Sequence, residues 1–244
     1  MRKFLGVLLL ATSCSPLYVP NTRNTPLFRE QGEFQGTINV TTGLEGQLAY
    51  ALSDNLAVIA NGSFFNQKIT DQQEEYTRAH KFFEGGLGYY NVSRKFRSEL
   101  YVGYGAGEDT SFSQYYFFTQ YFGQKDLVAT GKYNRIFIQP TIGSNNRKFN
   151  MAFTLRLSMV DYTEFSSNDN NPALSVVTVK PDEKAHFFLE PALTGKFPLV
   201  GNLQGVVQLG LNAPLPNDAY FDYVPLQLSV GIQLNTGSLR TRVY

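Results

Sequence analysis

The chain has 244 residues, of which 17% are charged, with a formal net charge of +1 and a single cysteine. This balance offers no electrostatic basis for nucleic-acid binding, and one cysteine excludes an internal disulfide. Beyond the N-terminus no apolar run is long enough for a helical membrane span, and the length suits one barrel without a second domain.

The N-terminus has the pattern of a secretory signal. Arg2 and Lys3 precede an apolar stretch at 4–11, which is too short to cross a bilayer. Residues 10–14 resemble a bacterial lipoprotein signal, in which cleavage before the cysteine leaves its thiol to carry the acyl chains. The alternative is an ordinary signal peptide that contains a cysteine. We predict a signal peptide at 1–13 and lipidation, for example with palmitate, at Cys14.

Prolines and Asn-Thr pairs between residues 15 and 31 favour an extended linker. We therefore predict a lipidated tether at 14–32 that runs from the acyl anchor to the wall of a barrel at 33–244.

The remaining chain alternates between apolar and polar residues in segments of about ten. Between 149 and 160, large apolar side chains project to one face, and small, polar or charged ones to the other. This pattern, repeated between turns, predicts an all-β fold, an antiparallel transmembrane β-barrel of about ten strands. The predicted strands are 33–41, 44–52, 55–65, 81–91, 97–107, 127–143, 147–160, 184–195, 202–211 and 224–235.

The connections between these strands alternate in length. Apart from the first connection, 42–43, which is short although it lies on the side of the long loops, four short turns alternate with the long connections 66–80, 108–126, 161–183 and 212–223. In outer-membrane barrels the short turns lie in the periplasm and the long loops outside. An even strand count then returns the C-terminus to the periplasm, and we expect the lipid anchor on the same side.

The residues on the polar face separate a membrane barrel from a soluble lipocalin-like one. A water-facing set should be rich in lysine, but this set is mostly Gly, Ala and Gln with a few charges. Such residues suit the packed lumen of a narrow barrel, where each charge needs an opposite partner. The predicted lumen charge network consists of Glu45, Glu84, Arg135, Arg156 and Glu190. We expect this network to close the bore.

Three prolines lie inside the predicted strands, at 140, 191 and 225. Proline cannot donate to a strand ladder, so we expect bulges or early strand ends at these positions.

Several segments together resemble outer-membrane β-barrel lipoproteins of Bacteroidetes type. The resemblance is carried by residues 14–28, 46–58 and 61–64, and continues in 86–90, 134–143 and 188–191. It implies fold and location, without an established activity. Surface export in such bacteria usually goes with acidic residues after the lipidated cysteine. Residues 15–18 have none, which implies an anchor in the periplasmic leaflet.

Little in the sequence indicates catalysis. Two histidines make a metal cluster improbable, and we predict no metal, no cofactor, no catalytic residues and no enzyme activity. An alternative is a barrel hydrolase in which Ser158, His186 and Glu190 act together on lipid or peptide. No nucleophile motif supports that alternative.

An aromatic loop is the candidate contact surface. Seven rings fall close together, at Phe112, Tyr115, Tyr116, Phe117, Phe118, Tyr121 and Phe122. Such a cluster either caps the barrel mouth or forms a partner or ligand patch. We expect a structural or protein-interaction role in contact with outer-membrane lipid, as an accessory subunit of an envelope complex. The alternative is a small passive or hydrophobic-ligand channel.

Overall fold

The computed structural model describes residues 17–71, 74–113, 127–146, 149–168, 185–215 and 223–236. These residues form β-strands joined by turns and extended segments. The strands are β1 (Phe34–Val40), β2 (Leu44–Ala51), β3 (Leu56–Asp71), β4 (Glu74–Val92), β5 (Phe96–Ser113), β6 (Leu127–Ser144), β7 (Asn150–Asn168), β8 (His186–Pro198), β9 (Leu203–Leu211), β10 (Ala213–Leu215) and β11 (Leu226–Thr236).

The sheet closes on itself through antiparallel pairing. Consecutive strands pair from β1 to β9, and β11 pairs with both β9 and β1. The short β10 continues the line of β9 along β8, so the barrel has ten strand positions. The prediction of a closed antiparallel barrel of about ten strands is confirmed.

The outer wall of the barrel is apolar. Ile38, Phe83 and Val230 are 63%, 67% and 56% exposed. Every other strand also has large apolar side chains exposed on its outer face. An exposed apolar band of this extent is a liability in water and fits the hydrocarbon core of a bilayer, where closure leaves no unpaired strand edge. The inward-facing residues are those predicted from the alternation, and the chain folds as a transmembrane β-barrel. Within the described residues, no helix long and apolar enough to cross a membrane is found.

The strands extend much further at one end of the barrel than at the other. At the "turn end", short connections such as 93–95 join the strands. At the "hairpin end", β3 and β4 remain paired as far as Asp71 and Glu74, and β5 and β6 as far as Ser113 and Leu127. The expectation of loops throughout 66–80 is therefore wrong. The sequence did not indicate these extensions because both faces are polar above the membrane, which removes the alternation.

The prolines act differently from the bulges that we expected. The β6–β7 ladder omits Pro140 but keeps its register, and Pro191 likewise interrupts only the β8–β9 side. The one register shift in the β6–β7 ladder lies between Lys132 and Tyr133 instead. Pro225 precedes β11, as an early strand end requires.

The tether prediction fails for residues 17–28, which we call the N-terminal segment. This segment lies inside the barrel, and nearly all of its residues are buried. Its backbone and the side chains of residues 21–25 are polar, so it is stable there only because the lumen wall supplies hydrogen-bond partners. The lumen is thus filled largely by the chain's own N-terminal residues.

Candidate functional site

The N-terminal segment runs through the lumen from one end of the barrel to the other. At the hairpin end, the Tyr162 hydroxyl donates to the Leu17 carbonyl at 3.0 Å, and Tyr18 pairs with Tyr223. At the turn end, the Phe28 amide donates to Glu99 Oε1 at 3.0 Å. The chain then turns and enters β1. The segment therefore passes the full height of the bore in an extended form.

Glutamines of the wall bind the backbone of this segment. Gln208 donates from Nε2 to the Arg23 carbonyl and accepts from the Arg23 amide, each at 2.8 Å. Gln47, Gln139 and Gln227 donate to the carbonyls of Thr22, Asn24 and Pro20, also at 2.8 Å. A side-chain amide carries both donors and an acceptor, so it can pair with a peptide group as another strand would. The inward-facing glutamine side chains thus make the backbone hydrogen bonds that a neighbouring strand would otherwise make to this extended segment.

Four of the five predicted network charges come together around this segment. Arg135 is paired with Glu84, and Arg156 Nη2 lies 3.5 Å from Glu84 Oε1. Arg156 also lies 4.0 Å from Glu190. All four side chains are fully buried, where an unpaired charge would cost several kcal/mol.

Two residues of the N-terminal segment complete that network. Arg23 lies 3.7 Å from Glu190, and the Tyr18 hydroxyl donates to Glu190 at 2.7 Å. Asn21 bridges the two ion pairs, because its Nδ2 donates to Glu84 at 2.8 Å and its Oδ1 accepts from Arg156 at 3.1 Å. The segment is therefore part of the electrostatic core.

Glu45 lies apart from this cluster. It accepts hydrogen bonds from the Thr22 amide at 2.9 Å and from the Thr22 hydroxyl. Gln227 links it to Arg23, donating to Glu45 at 3.3 Å and accepting from Arg23 at 2.9 Å. Its placement in the lumen matches the prediction, but no direct ion pair joins it to Arg135 or Arg156 among the described contacts.

The turn end of the lumen is apolar. Phe28 packs against Tyr90 with ring centroids 5.4 Å apart, within a buried cluster that includes Tyr101 and Phe137. Leu27 has a φ of 58°, which is uncommon for leucine, and its carbonyl accepts a hydrogen bond from Arg97. The segment therefore bends sharply where it leaves the polar part of the bore.

Two glycines of the wall leave room for the segment. A Cβ at Gly143 would lie 2.6 Å from a methyl group of Leu27, and one at Gly210 would lie 2.7 Å from Nη1 of Arg23. Both are well inside ordinary contact distance. Beside residues 22–25 a void of about 10 Å³ remains, enough for about one water molecule.

A sequence signal for Arg23 existed but was not used. The predicted network contains three carboxylates and only two guanidiniums, so it requires one more cation. Arg23 supplies that cation, and with it the six charges balance. The proline- and asparagine-rich composition around it masked the signal, because such a stretch has no period of its own.

Most of the remaining predicted site residues lie outside the described part of the chain. Cys14 lies outside the described residues, as do Tyr115, Tyr116, Phe117, Phe118, Tyr121 and Phe122. Phe112 lies in β5, where it pairs with Val128. The aromatic residues that follow Ser113 thus belong to the connection between the paired ends of β5 and β6.

The alternative catalytic group is not assembled. Ser158 is fully buried, but its Oγ makes no hydrogen bond in the described part of the chain, to His186 or to any other residue. The described residues also contain no group of three His, Cys, Asp or Glu side chains that could hold a metal ion.

Comparison with known proteins gives only distant likenesses. No protein-family model matches the chain, and no curated protein matches it either. Among solved structures the chain is similar to the KdgM porin, with 9% identity and a TM-score of 0.36 over 83% of this chain and 98% of that one. It is also similar to OmpT, an outer membrane protein of Vibrio cholerae, with 8% identity and a TM-score of 0.25 over 87% and 100%. Likenesses at this level transfer no function.

Proposed function

We propose that this protein is a lipid-anchored outer-membrane β-barrel with a structural or protein-interaction role, closed by its own N-terminal segment, and an accessory subunit of an envelope complex. The observation that carries the proposal is the filled lumen. Residues 17–28 occupy the bore and hydrogen-bond to its wall, so the surfaces left for function are the outer wall and the hairpin end. Such a role needs no reaction and no cofactor.

The course of the N-terminal segment bears on the side of the anchor. With the long hairpins outside the cell, Leu17 lies at the outer end and Thr236, the last residue of β11, lies at the periplasmic end beside Phe34. Cys14 is three residues before Leu17 and hence within about 11 Å of it. This supports an acylated Cys14 in the outer leaflet, and we revise our expectation of an anchor on the periplasmic side accordingly.

The β5–β6 hairpin supports a contact surface beyond the membrane. Its strands remain paired up to Ser113 and Leu127, well past Tyr104 and Ile136, which face outward in the apolar band. The aromatic residues between Tyr115 and Phe122 connect these strand ends. Clustered rings are typical of binding hot spots, and we assign the partner contact to them.

A pull-down tests this role. Tagged wild-type protein and a variant with the seven rings of 112–122 replaced by serine would be recovered from detergent-solubilised outer membranes and compared by mass spectrometry. The matched control replaces Lys132 on β6 and Glu164 on β7, which form an exposed ion pair, with serine. We expect stoichiometric partners with the wild type and the control but not with the ring variant. A barrel that is recovered alone in all three contradicts the accessory role.

A channel is the second candidate. The observation in its favour is that a single extended chain fills the bore, so displacement of that chain would open a path. Planar-bilayer recordings of the wild type separate the two. A closed barrel shows no steady conductance, whereas a channel conducts without any change to residues 17–28. Uptake of hydrophobic ligands into vesicles tests the second form of this candidate.

A further inference from the structure

Three polar side chains on neighbouring strands form a hydrogen-bonded series on the inner face of the wall. Ser63 on β3 lies with its Oγ 2.6 Å from Nε2 of His80 on β4. The other ring nitrogen of His80, Nδ1, is hydrogen-bonded to Oδ1 of Asp109 on β5. Asp109 lies directly opposite His80 in the ladder. The connections are those of a nucleophile, a base and an acid that orients the base.

The burial of the three groups follows the same order. Asp109 is 1% exposed, His80 5% and Ser63 8%. A buried carboxylate holds the Nδ1–H tautomer, which leaves Nε2 as the acceptor for the serine proton. It also stabilises the imidazolium that forms when the proton moves. The serine, which must meet a substrate, is the least buried of the three.

The barrel wall is low next to this group. The turn between β1 and β2 lies at 41–43, and Leu44 is opposite Phe64, so the paired part of this wall ends one residue beyond Ser63. β3 and β4 continue seven residues further, to Asp71 and from Glu74. This step in the rim leaves the upper part of the β3–β4 hairpin without the β1–β2 wall beside it.

Two side chains on that same inner face lie beside and above the series, Phe65 directly opposite His80 and Arg78 one step higher. Phe65 is two residues beyond Ser63, and Arg78 is two residues before His80. The Arg78 guanidinium lies 5.4 Å from the Phe65 ring centroid. A substrate that approached over the low rim would thus meet an apolar ring and a positive charge before it reached Ser63.

We propose that Ser63 is an activated nucleophile that reacts with carboxylic esters. The Ser63 hydroxyl gives its proton to His80 Nε2 as Oγ bonds to the ester carbonyl carbon. The bond from that carbon to the alkoxy oxygen breaks, and the alcohol leaves with the proton from His80. Water then attacks the acyl-Ser63 ester and gives a proton to His80, and that proton returns to Oγ as the carboxylic acid leaves. The sum is ester plus water to acid plus alcohol.

This inference goes beyond the proposed structural role and departs from our expectation of a protein without catalysis. It also differs from the alternative built on Ser158 and His186. Ser158 provides the matched control, since it too is a buried lumen serine but its Oγ makes no hydrogen bond in the described residues.

Labelling with a fluorescent fluorophosphonate tests the nucleophile. We expect the folded wild type and Ser158→Ala to be labelled equally, and Ser63→Ala to lose the label. His80→Gln should slow labelling at least 100-fold. Mass spectrometry of the labelled wild type should place the adduct on Ser63, and this readout does not depend on whether any variant folds. Equal labelling of wild type and Ser63→Ala, an adduct on another residue, or no labelling of the folded wild type would overturn the proposal.

Incubation with p-nitrophenyl butyrate tests the reaction with an ester. We expect either turnover or a butyryl adduct on Ser63, and the absence of both would refute the inference. Asp109 is a positioning residue, since it acts through His80. Asp109→Asn should slow labelling at least tenfold, and Asp109→Glu should recover part of the rate. Recovery would not be expected if Asp109 served only to stabilise the fold, because the longer side chain fits the packed wall less well.

Discussion

The middle and the turn end of the N-terminal segment are held in the lumen by different forces. Asn21 and Arg23 lie among fully buried charges, whereas Phe28 packs among aromatic rings. A buried ion pair tolerates substitution poorly, because removal of one partner leaves the other charge buried and unpaired. A packed ring is more tolerant, because neighbouring side chains can close part of the gap. The two parts should therefore respond differently to conservative substitution.

The largest effect is expected in the ionic part. Glu84→Gln keeps the shape of the side chain but removes the carboxylate that contacts both Arg135 and Arg156. We expect a loss of about 4 kcal/mol in the free energy of unfolding. The chain has no tryptophan, so urea unfolding would be followed by circular dichroism and by the mobility of unheated samples on SDS gels. A Glu84→Gln protein as stable as the wild type would contradict the ionic interpretation.

A smaller effect is expected at the apolar end. Phe28→Ala should cost about 3 kcal/mol through lost burial and a cavity, whereas Phe28→Leu should cost less than about 1.5 kcal/mol. The comparison is sharpened by measuring Phe28→Leu beside Glu84→Gln, since both are conservative in size. If the leucine variant were the less stable of the two, the proposed difference between the two parts would be wrong.

A third effect concerns the backbone of the segment. Gln208→Leu removes both hydrogen bonds to the peptide groups of Arg23, which leaves a buried amide and a buried carbonyl unpaired. We expect a loss of about 2 kcal/mol, measured by the same unfolding assay. Gln204→Leu, on the same strand but only half-buried at the turn end, is the control and should cost less.

The smallest effect is expected outside the lumen. Lys132 and Glu164 form an ion pair at 2.6 Å, but their side chains are 47% and 67% exposed. Solvent screens such a pair, so Lys132→Gln should leave the unfolding midpoint unchanged within error. A shift as large as that of Glu84→Gln would show that burial does not determine the strength of ion pairs in this barrel.

The membrane-spanning part of the fold could be predicted from the sequence, because lipid on one side and a packed lumen on the other impose a period of two. The bounds of β1 and β2 differ from the predicted ones by at most one residue. The upper parts of β3 and β4 could not be predicted in this way. Water surrounds both of their faces, and residues such as Asn66 and Gln67 carry no alternation.

The lumen site was predicted only in part. Glu84, Arg135, Arg156 and Glu190 could be placed because alternation fixes their direction, and desolvation then requires partners for them. Tyr18 and Arg23 could not be placed, since an extended segment without a period gives no direction to its side chains. The Ser63–His80–Asp109 series was missed for another reason. His80 and Asp109 are 29 residues apart in sequence, and only the register of β4 against β5 brings them opposite each other.

The short link between the N-terminal segment and β1 makes it difficult for another molecule to replace that segment in the lumen. The Arg29 amide donates to Glu33 at 2.8 Å and the Gly32 amide donates to the Ala51 carbonyl at 2.9 Å, so the link is itself fixed to the wall. A segment tied so closely to its binding site has an effective concentration in the millimolar range or above. A free peptide or ligand would have to exceed that concentration, or bind correspondingly more tightly, to displace it. Occupancy of the bore is therefore independent of how much of the protein is present.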